Sequence, residues 1–218
     1  MPIFKKSVLL ILIVLFSQAV FPSGSKQTEG DEEKQSVSRD FVDFLIDYVE
    51  IKYSDEHFSK FIYVSIKRQK LFLIENKEII SEYDISTAKN GVGFDYGSEK
   101  TPTGLHYIRE KLGDDVPLGG VLRNRHYTGE VADILADPIY SNKDNITTRI
   151  MWLGGKEKGL NQGGKNDSYN RLIYIHGTDE EGLIGTPVSH GCIRMRNEDV
   201  KDLYEKVEVG AQVVILNN

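Results

Sequence analysis

The stretch HGTDEEGLIGTPVSHGCIR, residues 176–194, gathers two of the five histidines and the only cysteine of the chain into nineteen positions. His176 closes an apolar run and Cys192 sits in a glycine-broken, polar turn, unlike the apolar strand in which a lone cysteine serves as filler. A thiol near pKa 8.5 is mostly protonated at neutral pH, and a neighbouring imidazole that accepts its proton supplies the attacking thiolate. His176 and His190 are both candidates for that base. His190 is near in sequence, but residues two apart in an extended chain point the same way without having to touch. Gly191 lacks a Cβ, so a substrate carbonyl can approach the backbone, and N–H groups around Cys192 could hold a developing oxyanion. A zinc site from His176, His190 and Cys192 lacks a fourth ligand at a typical spacing, and no metal is expected. Asp179, Glu180 and Glu181 read as a solvated turn.

Outward from this stretch the chain reads as strands. Phe61–Ile66 and Leu71–Ile74 are β-prone runs separated by Lys67, Arg68, Gln69 and Lys70, the pattern of a hairpin. Ile79–Ile85 follows Asn76 and Lys77 and extends this to a three-stranded meander. Further strands are expected over Gly104–Arg109, Thr148–Leu153, Leu172–His176 and Gln212–Leu216. One helix is signalled after the stretch: Asn197 as N-cap, Glu198 and Asp199 in the first turn, an apolar face of Val200, Leu203, Tyr204 and Val207, and Gly210 beyond its end. The fold class is therefore mainly β, with few helices. Residues 113–170 are rich in Gly, Asn, Asp and charge, and loops of that length usually cover or shape a site.

The amino-terminal part carries location. Lys5 and Lys6 precede the apolar run Val8–Phe16, and Ser17, Gln18 and Ala19 place small residues at a signal-cleavage position. Residues 1–21 are expected to be a signal peptide or an anchor, and the rest to lie outside the cytoplasm. Residues 22–39 hold almost no apolar side chains and read as a linker. Over 40–58, Phe41, Phe44, Leu45, Tyr48 and Val49 recur at helical spacing with Asp43, Asp47 and Glu50 between them, an amphipathic helical lead-in. A chain of 218 residues with a formal charge of -6 and 27 Lys and Arg against 33 Asp and Glu offers no basic block to neutralise phosphates. Nucleic acid is therefore excluded as a partner. A membrane is expected as a partner only through the amino-terminal segment, if it is not cleaved.

The residues His176-Gly177-Thr178 and Ser189-His190-Gly191-Cys192-Ile193-Arg194 resemble the active-site signature of the L,D-transpeptidase catalytic domain, the YkuD-like or ErfK/YbiS/YcfS/YnhG group. Its flanks agree: TRIMWLGG (148–155), RLIYIHGT (171–178), RMRNEDVKDLY (194–204), GAQVVI (210–215) and TPTGLHYI (101–108) are similar to the same group. The resemblance covers roughly 60–218.

That resemblance implies an L,D-transpeptidase-type β sandwich with a few short helices and long loops over the active site, and no cofactor. It implies Cys192 as nucleophile and His176 as general base oriented by the carbonyl of Gly177. Gly191 and Cys192 N–H groups would form the oxyanion hole, and Ser189, His190 and Arg194 would contact substrate. The implied reaction is on peptidoglycan stem peptides: the thiolate attacks the bond between an L-centred residue and D-Ala, forms a thioester, and passes the acyl group to an amine as a 3-3 cross-link. Water as acceptor would give an L,D-carboxypeptidase, and a lipoprotein amine an anchoring enzyme. Loss of catalysis would leave an envelope scaffold that binds stem peptides. Carbapenem-type inhibitors are expected to acylate the cysteine, and the implied location is the periplasm or cell envelope.

Overall fold

The hairpin read from Phe61–Ile66 and Leu71–Ile74 is present as β1 (Lys60–Ser65) and β2 (Lys70–Glu75), with Gln69 at φ 50° in the turn between them. The computed structural model describes residues 28–218, with side chains from Arg39 onward. The expected export or anchor segment, 1–21, lies outside the described residues, as does the first part of the 22–39 linker.

β3 (Glu78–Ser86) completes the meander. β4 (Gly104–Leu112), β7 (Ile146–Gly155), β8 (Tyr174–Thr178) and β10 (Gln212–Leu216) fall where strands are expected, with ends shifted by a few residues. Three strands were not foreseen: β5 (Gly120–Arg123), β6 (His126–Val131) and β9 (Ile193–Met195). β6 is exposed at every position, so it carries no alternation to read, and β9 has only three residues.

The strands form one sheet in the order β4-β10-β1-β2-β3-β9-β8-β7-β5-β6, and an additional β4–β7 pairing closes it on itself. β7 makes closure possible. Its Ile146 and Thr147 pair with β5, its Ile150–Gly155 stretch pairs with β4 along the same edge, and β8 takes the other edge.

Period-two alternation sorts the side chains. Ile62, Val64, Leu71, Leu73, Ile108, Met151, Leu153, Ile175, Ile193, Met195, Val213 and Ile215 point into one interior cluster, capped by Val200, Leu203 and Tyr204. These last belong to α2 (Asn197–Lys206), whose N-cap is Arg196 instead of Asn197. On the opposite face Phe61, Tyr63, Phe72, Ile74, Leu105 and Val214 pack against Val42, Leu45, Ile46 and Val49. Those four belong to α1 (Thr28–Lys52). Each such side chain contributes about 1.5–3 kcal/mol of gross apolar burial, which holds the helix to the sheet. The two α-helices among the described residues differ in length: α1, with 25 residues, is long, and it begins inside the stretch expected as linker. Glu29, Glu32, Glu33, Lys34 and Gln35 are good helix formers without being apolar, so burial patterning does not reveal them.

Candidate active site

β8 and β9 run parallel in the register Ile175↔Ile193 and His176↔Arg194. Because Ile193 and Met195 point into the core, Cys192 and Arg194 point to the other face. Ile175 points inward, so Tyr174 and His176 share that outer face. Strand alternation thus puts Cys192, Tyr174, His176 and Arg194 on one face, and the β8–β9 register sets His176 diagonal to Cys192 across the two strands.

His176 is buried, and its Nδ1 lies 2.7 Å from the carbonyl oxygen of Gly177. A carbonyl only accepts, so Nδ1 carries the proton and Nε2 keeps its lone pair. Burial lowers the imidazole pKa to about 4. The Gly177 bond opposes this shift and the Arg194 charge adds to it. His176 is therefore neutral at pH 7 in the tautomer a base requires. Gly177 has to be glycine: a Cβ there would stand 2.7 Å from the Thr147 carbonyl oxygen and 2.8 Å from Asn197 Oδ1.

Cys192 is partly exposed and packs beside Val116, Leu122, Ile150, Trp152 and Tyr174. Its thiol donates to the Leu172 carbonyl at 3.3 Å, and its sulfur accepts the Tyr174 N–H at 3.4 Å. Burial pushes the thiol pKa up to about 11, against the Tyr174 N–H, which lowers it. The resting pair is thus a neutral thiol and a neutral imidazole, and the thiol proton is engaged by Leu172.

The turn before Cys192 is held by internal bonds. Ser189 Oγ donates to the Cys192 carbonyl at 2.6 Å and accepts the Gly191 N–H at 3.2 Å. Thr101 Oγ1 donates to the Gly191 carbonyl and accepts the Ala88 N–H, both at 3.0 Å, which gives the 101–108 element a structural reason. Gly191 sits at φ 124°, a conformation side chains rarely adopt. Its N–H is occupied by Ser189, whereas the N–H groups of His190 and Cys192 have no acceptor among the described residues. Ser189 is buried and locks the turn.

His190 and Arg194 part company. The His190 side chain is 63% exposed, with Nδ1 2.8 Å from Asp144 Oδ2. Arg194, 3% exposed, is enclosed by carboxylates: Nη1 to Glu180 Oε2 at 2.8 Å and Nη2 to Asp144 Oδ1 at 2.6 Å. Burial would raise the Asp144 pKa, but the Arg194 charge and the His190 bond hold it below the usual value.

The acidic triplet corrects the sequence reading. Asp179 and Glu180 are buried, not solvated, because the covering loop and Arg194 supply their partners. Asp179 accepts the Asn145 N–H and side-chain amide at 3.1 and 2.7 Å, and Glu180 accepts the Ser141 N–H at 2.7 Å. Glu181 Oε1 accepts the Asn197 N–H at 2.7 Å. Asn197 itself was missed as a site residue. Its Oδ1 accepts from Thr147 and Thr148, and its Nδ2 donates to the Thr178 carbonyl at 2.9 Å and to Glu181. An asparagine just beyond the signature, read as a cap, was its only trace in the sequence.

Two cavities of about 220 Å³ lie at the two ends of β8. One is lined by Tyr96, Asn170, Arg171, Leu172 and His190, and the other by Arg123, Glu130, Lys143, Asn145 and Asp179. No cluster of metal-ligating side chains occurs among the described residues.

Residues 59–215 match the family model of the YkuD L,D-transpeptidase catalytic domain. The chain belongs to that family. Among its relatives, the probable L,D-transpeptidase YbiS of Escherichia coli K12 is 55% identical over 47 residues, 22% of this chain and 15% of YbiS. The probable L,D-transpeptidase YcfS of the same organism is 30% identical over 110 residues, 46% of this chain and 34% of YcfS. The chain thus matches only a minor part of the length of these relatives. The solved catalytic domain of the Enterococcus faecium L,D-transpeptidase is 19% identical with a TM-score of 0.42, covering 74% of this chain and all of that one. The described residues are mainly β, as the family leads one to expect.

Proposed function

We propose that this chain is an exported peptidoglycan L,D-transpeptidase with Cys192 as nucleophile and His176 as base. The observation that carries the proposal is the 2.7 Å contact of His176 Nδ1 with the Gly177 carbonyl. It leaves a basic Nε2 on the sheet face that bears Cys192. His190 suits the role less, being exposed and bound to Asp144.

Because both groups rest neutral, the thiolate forms during attack and not before it. The thiol turns from Leu172 toward the imidazole, Nε2 takes its proton, and Sγ bonds to the carbonyl carbon of the L-centred stem residue. The peptide bond to D-Ala then breaks, the departing amine takes the proton from Nε2, and the stem remains as a thioester. An acceptor amine attacks that thioester, Nε2 removes its proton, and the thiol is regenerated. The Cys192 N–H, which has no internal acceptor, is the donor suited to the oxyanion; Gly191 contributes turn conformation instead. Arg194 acts beside the catalytic pair as a positioning residue, its donors being engaged by Glu180 and Asp144. The cavities at the two ends of β8 suit a donor and an acceptor stem. Lys5, Lys6 and the apolar run after them support export to the envelope.

Mass spectrometry of tetrapeptide muropeptides incubated with the protein tests this reading. 3-3 dimers with release of D-Ala, absent with Cys192→Ala, are expected. Tripeptides alone would assign a carboxypeptidase, and neither product would refute both.

A further inference from the structure

Helix α1 has a second apolar stripe that the domain uses only at its Phe41 end, where that ring packs on Tyr63 and Phe72. Val42, Leu45, Ile46 and Val49 bury one face against the sheet, while Phe44 is 72%, Ile51 82% and Tyr48 37% exposed on another. With the partly buried Phe41 these residues run at spacings of three, four and three, the a/d repeat of a two-helix seam. A cavity of about 320 Å³ opens along the stripe, lined by Phe41, Phe44, Leu45, Tyr48 and Leu216, with room for an incoming aromatic ring.

The flanks identify the occupant. With Phe41 and Tyr48 at a and Phe44 and Ile51 at d, Asp47 falls at g and Lys52 at e, and both side chains are exposed. In a parallel pair of identical helices, g of one faces the following e of the other, so Asp47 meets Lys52 of the second copy twice, once on each side of the seam. An antiparallel pair would instead set Asp47 against Asp47. Asp40, Asp43, Asp47 and Glu50 surround the stripe, which disfavours an anionic bilayer surface.

We infer that α1 is a parallel homodimerisation helix, pairing two copies through Phe41, Phe44, Tyr48 and Ile51. The seam is short, so the dimer is weak and concentration-dependent. The parallel sense brings both amino-terminal segments to the same end.

The test uses the full chain in a Cys192→Ala background, which removes its one cysteine. Under mild oxidation Phe44→Cys and Ile51→Cys should form covalent dimers about tenfold faster or more than Glu50→Cys, which lies off the seam. Asp47→Lys should slow cross-linking at Phe44→Cys several-fold, and adding Lys52→Asp should restore it. Equal rates at all three positions, or a charge swap without rescue, would overturn the proposal. A Phe44→Cys chain that stays monomeric would overturn it too. In that case slow maleimide labelling at Phe44→Cys would assign the stripe to residues 8–21 of the same chain, and anionic-vesicle pelleting weakened by Phe44→Ser would assign it to a membrane.

Discussion

Arg194 stands directly opposite His176 in the parallel β8–β9 ladder. A permanent cation is thereby held beside the imidazole, and it opposes protonation of a ring that burial already holds neutral. The same guanidinium is neutralised by Glu180 and Asp144, so the site keeps the cation without exposing it.

The acid limb of activity follows from this. With His176 at about 4, kcat/KM is expected to stay level from pH 8 down to about pH 5 and to fall with a midpoint near 4. A midpoint near 6.5 would show that the base titrates like a free histidine and would reject the neutral-pair mechanism.

Stability carries a matching signature. His106, bonded to the Gly104 carbonyl and Ser168, is lowered by burial to about 4 like His176. Between pH 6.5 and 4 the unfolded chain binds a proton at each ring and the folded chain does not, so stability falls as pH falls through that window. Two to three pKa units per ring correspond to about 3 kcal/mol each. Urea unfolding at pH 7.5 and 4.5 should show the loss, and His106→Gln should reduce it by a substantial fraction; an unchanged pH dependence would contradict the assignment.

Glu180 and Arg194 are expected to behave as a buried pair. Removing Arg194 leaves the buried Glu180 carboxylate uncompensated and should cost about 3–5 kcal/mol, whereas removing Glu180 should cost less, because Arg194 keeps Asp144 as a partner. The double replacement Glu180→Leu with Arg194→Met should cost less than the sum of the singles. Additive unfolding free energies would show that the pair is not coupled.

Asn197→Ala should destabilise the protein by about 2–4 kcal/mol, since Thr147, Thr148, Thr178 and Glu181 all lose a buried partner. It should also lower kcat more than it raises KM, because the Gly177 backbone that orients His176 rests against the Asn197 side chain. A drop in stability with unaltered kcat would make Asn197 purely structural.

Carbapenem labelling reports on the nucleophile alone. Intact mass should show one adduct on the wild type, none on Cys192→Ala, and an undiminished adduct on Arg196→Ala. Arg196 is 40% exposed and bonds to Asp84, away from the thiol. An adduct that survives Cys192→Ala would place the nucleophile elsewhere.

Legibility in the sequence followed local signal. β1, β2, β3 and β10 announce themselves because their β-branched and aromatic residues are bounded by polar turns. β6 does not, because a strand exposed on both faces has no periodicity. The sequence names Cys192 and His176 as a candidate pair by their chemistry alone; that they share a face depends on the β8–β9 register, which no local pattern encodes. Asp179, Glu180 and Glu181 looked like surface because their partners, Asn145, Ser141, Arg194 and Asn197, lie 14 or more residues away. Asn197 looked like a helix cap because only the folded chain sets it beneath Gly177.

The sulfur-bearing residue stands immediately before β9, whose backbone is laddered between β3 and β8, while residues 132–145 reach that block through side-chain bonds to Asp179, Glu180 and Arg194 and through backbone bonds of Leu135 to Asp179 and Gly182. The covering segment is therefore a cassette on a fixed chassis. On the proposed acyl transfer, grafting a different one that keeps Leu135, Ser141, Asp144 and Asn145 should change which acceptor is admitted while leaving Cys192 where it is.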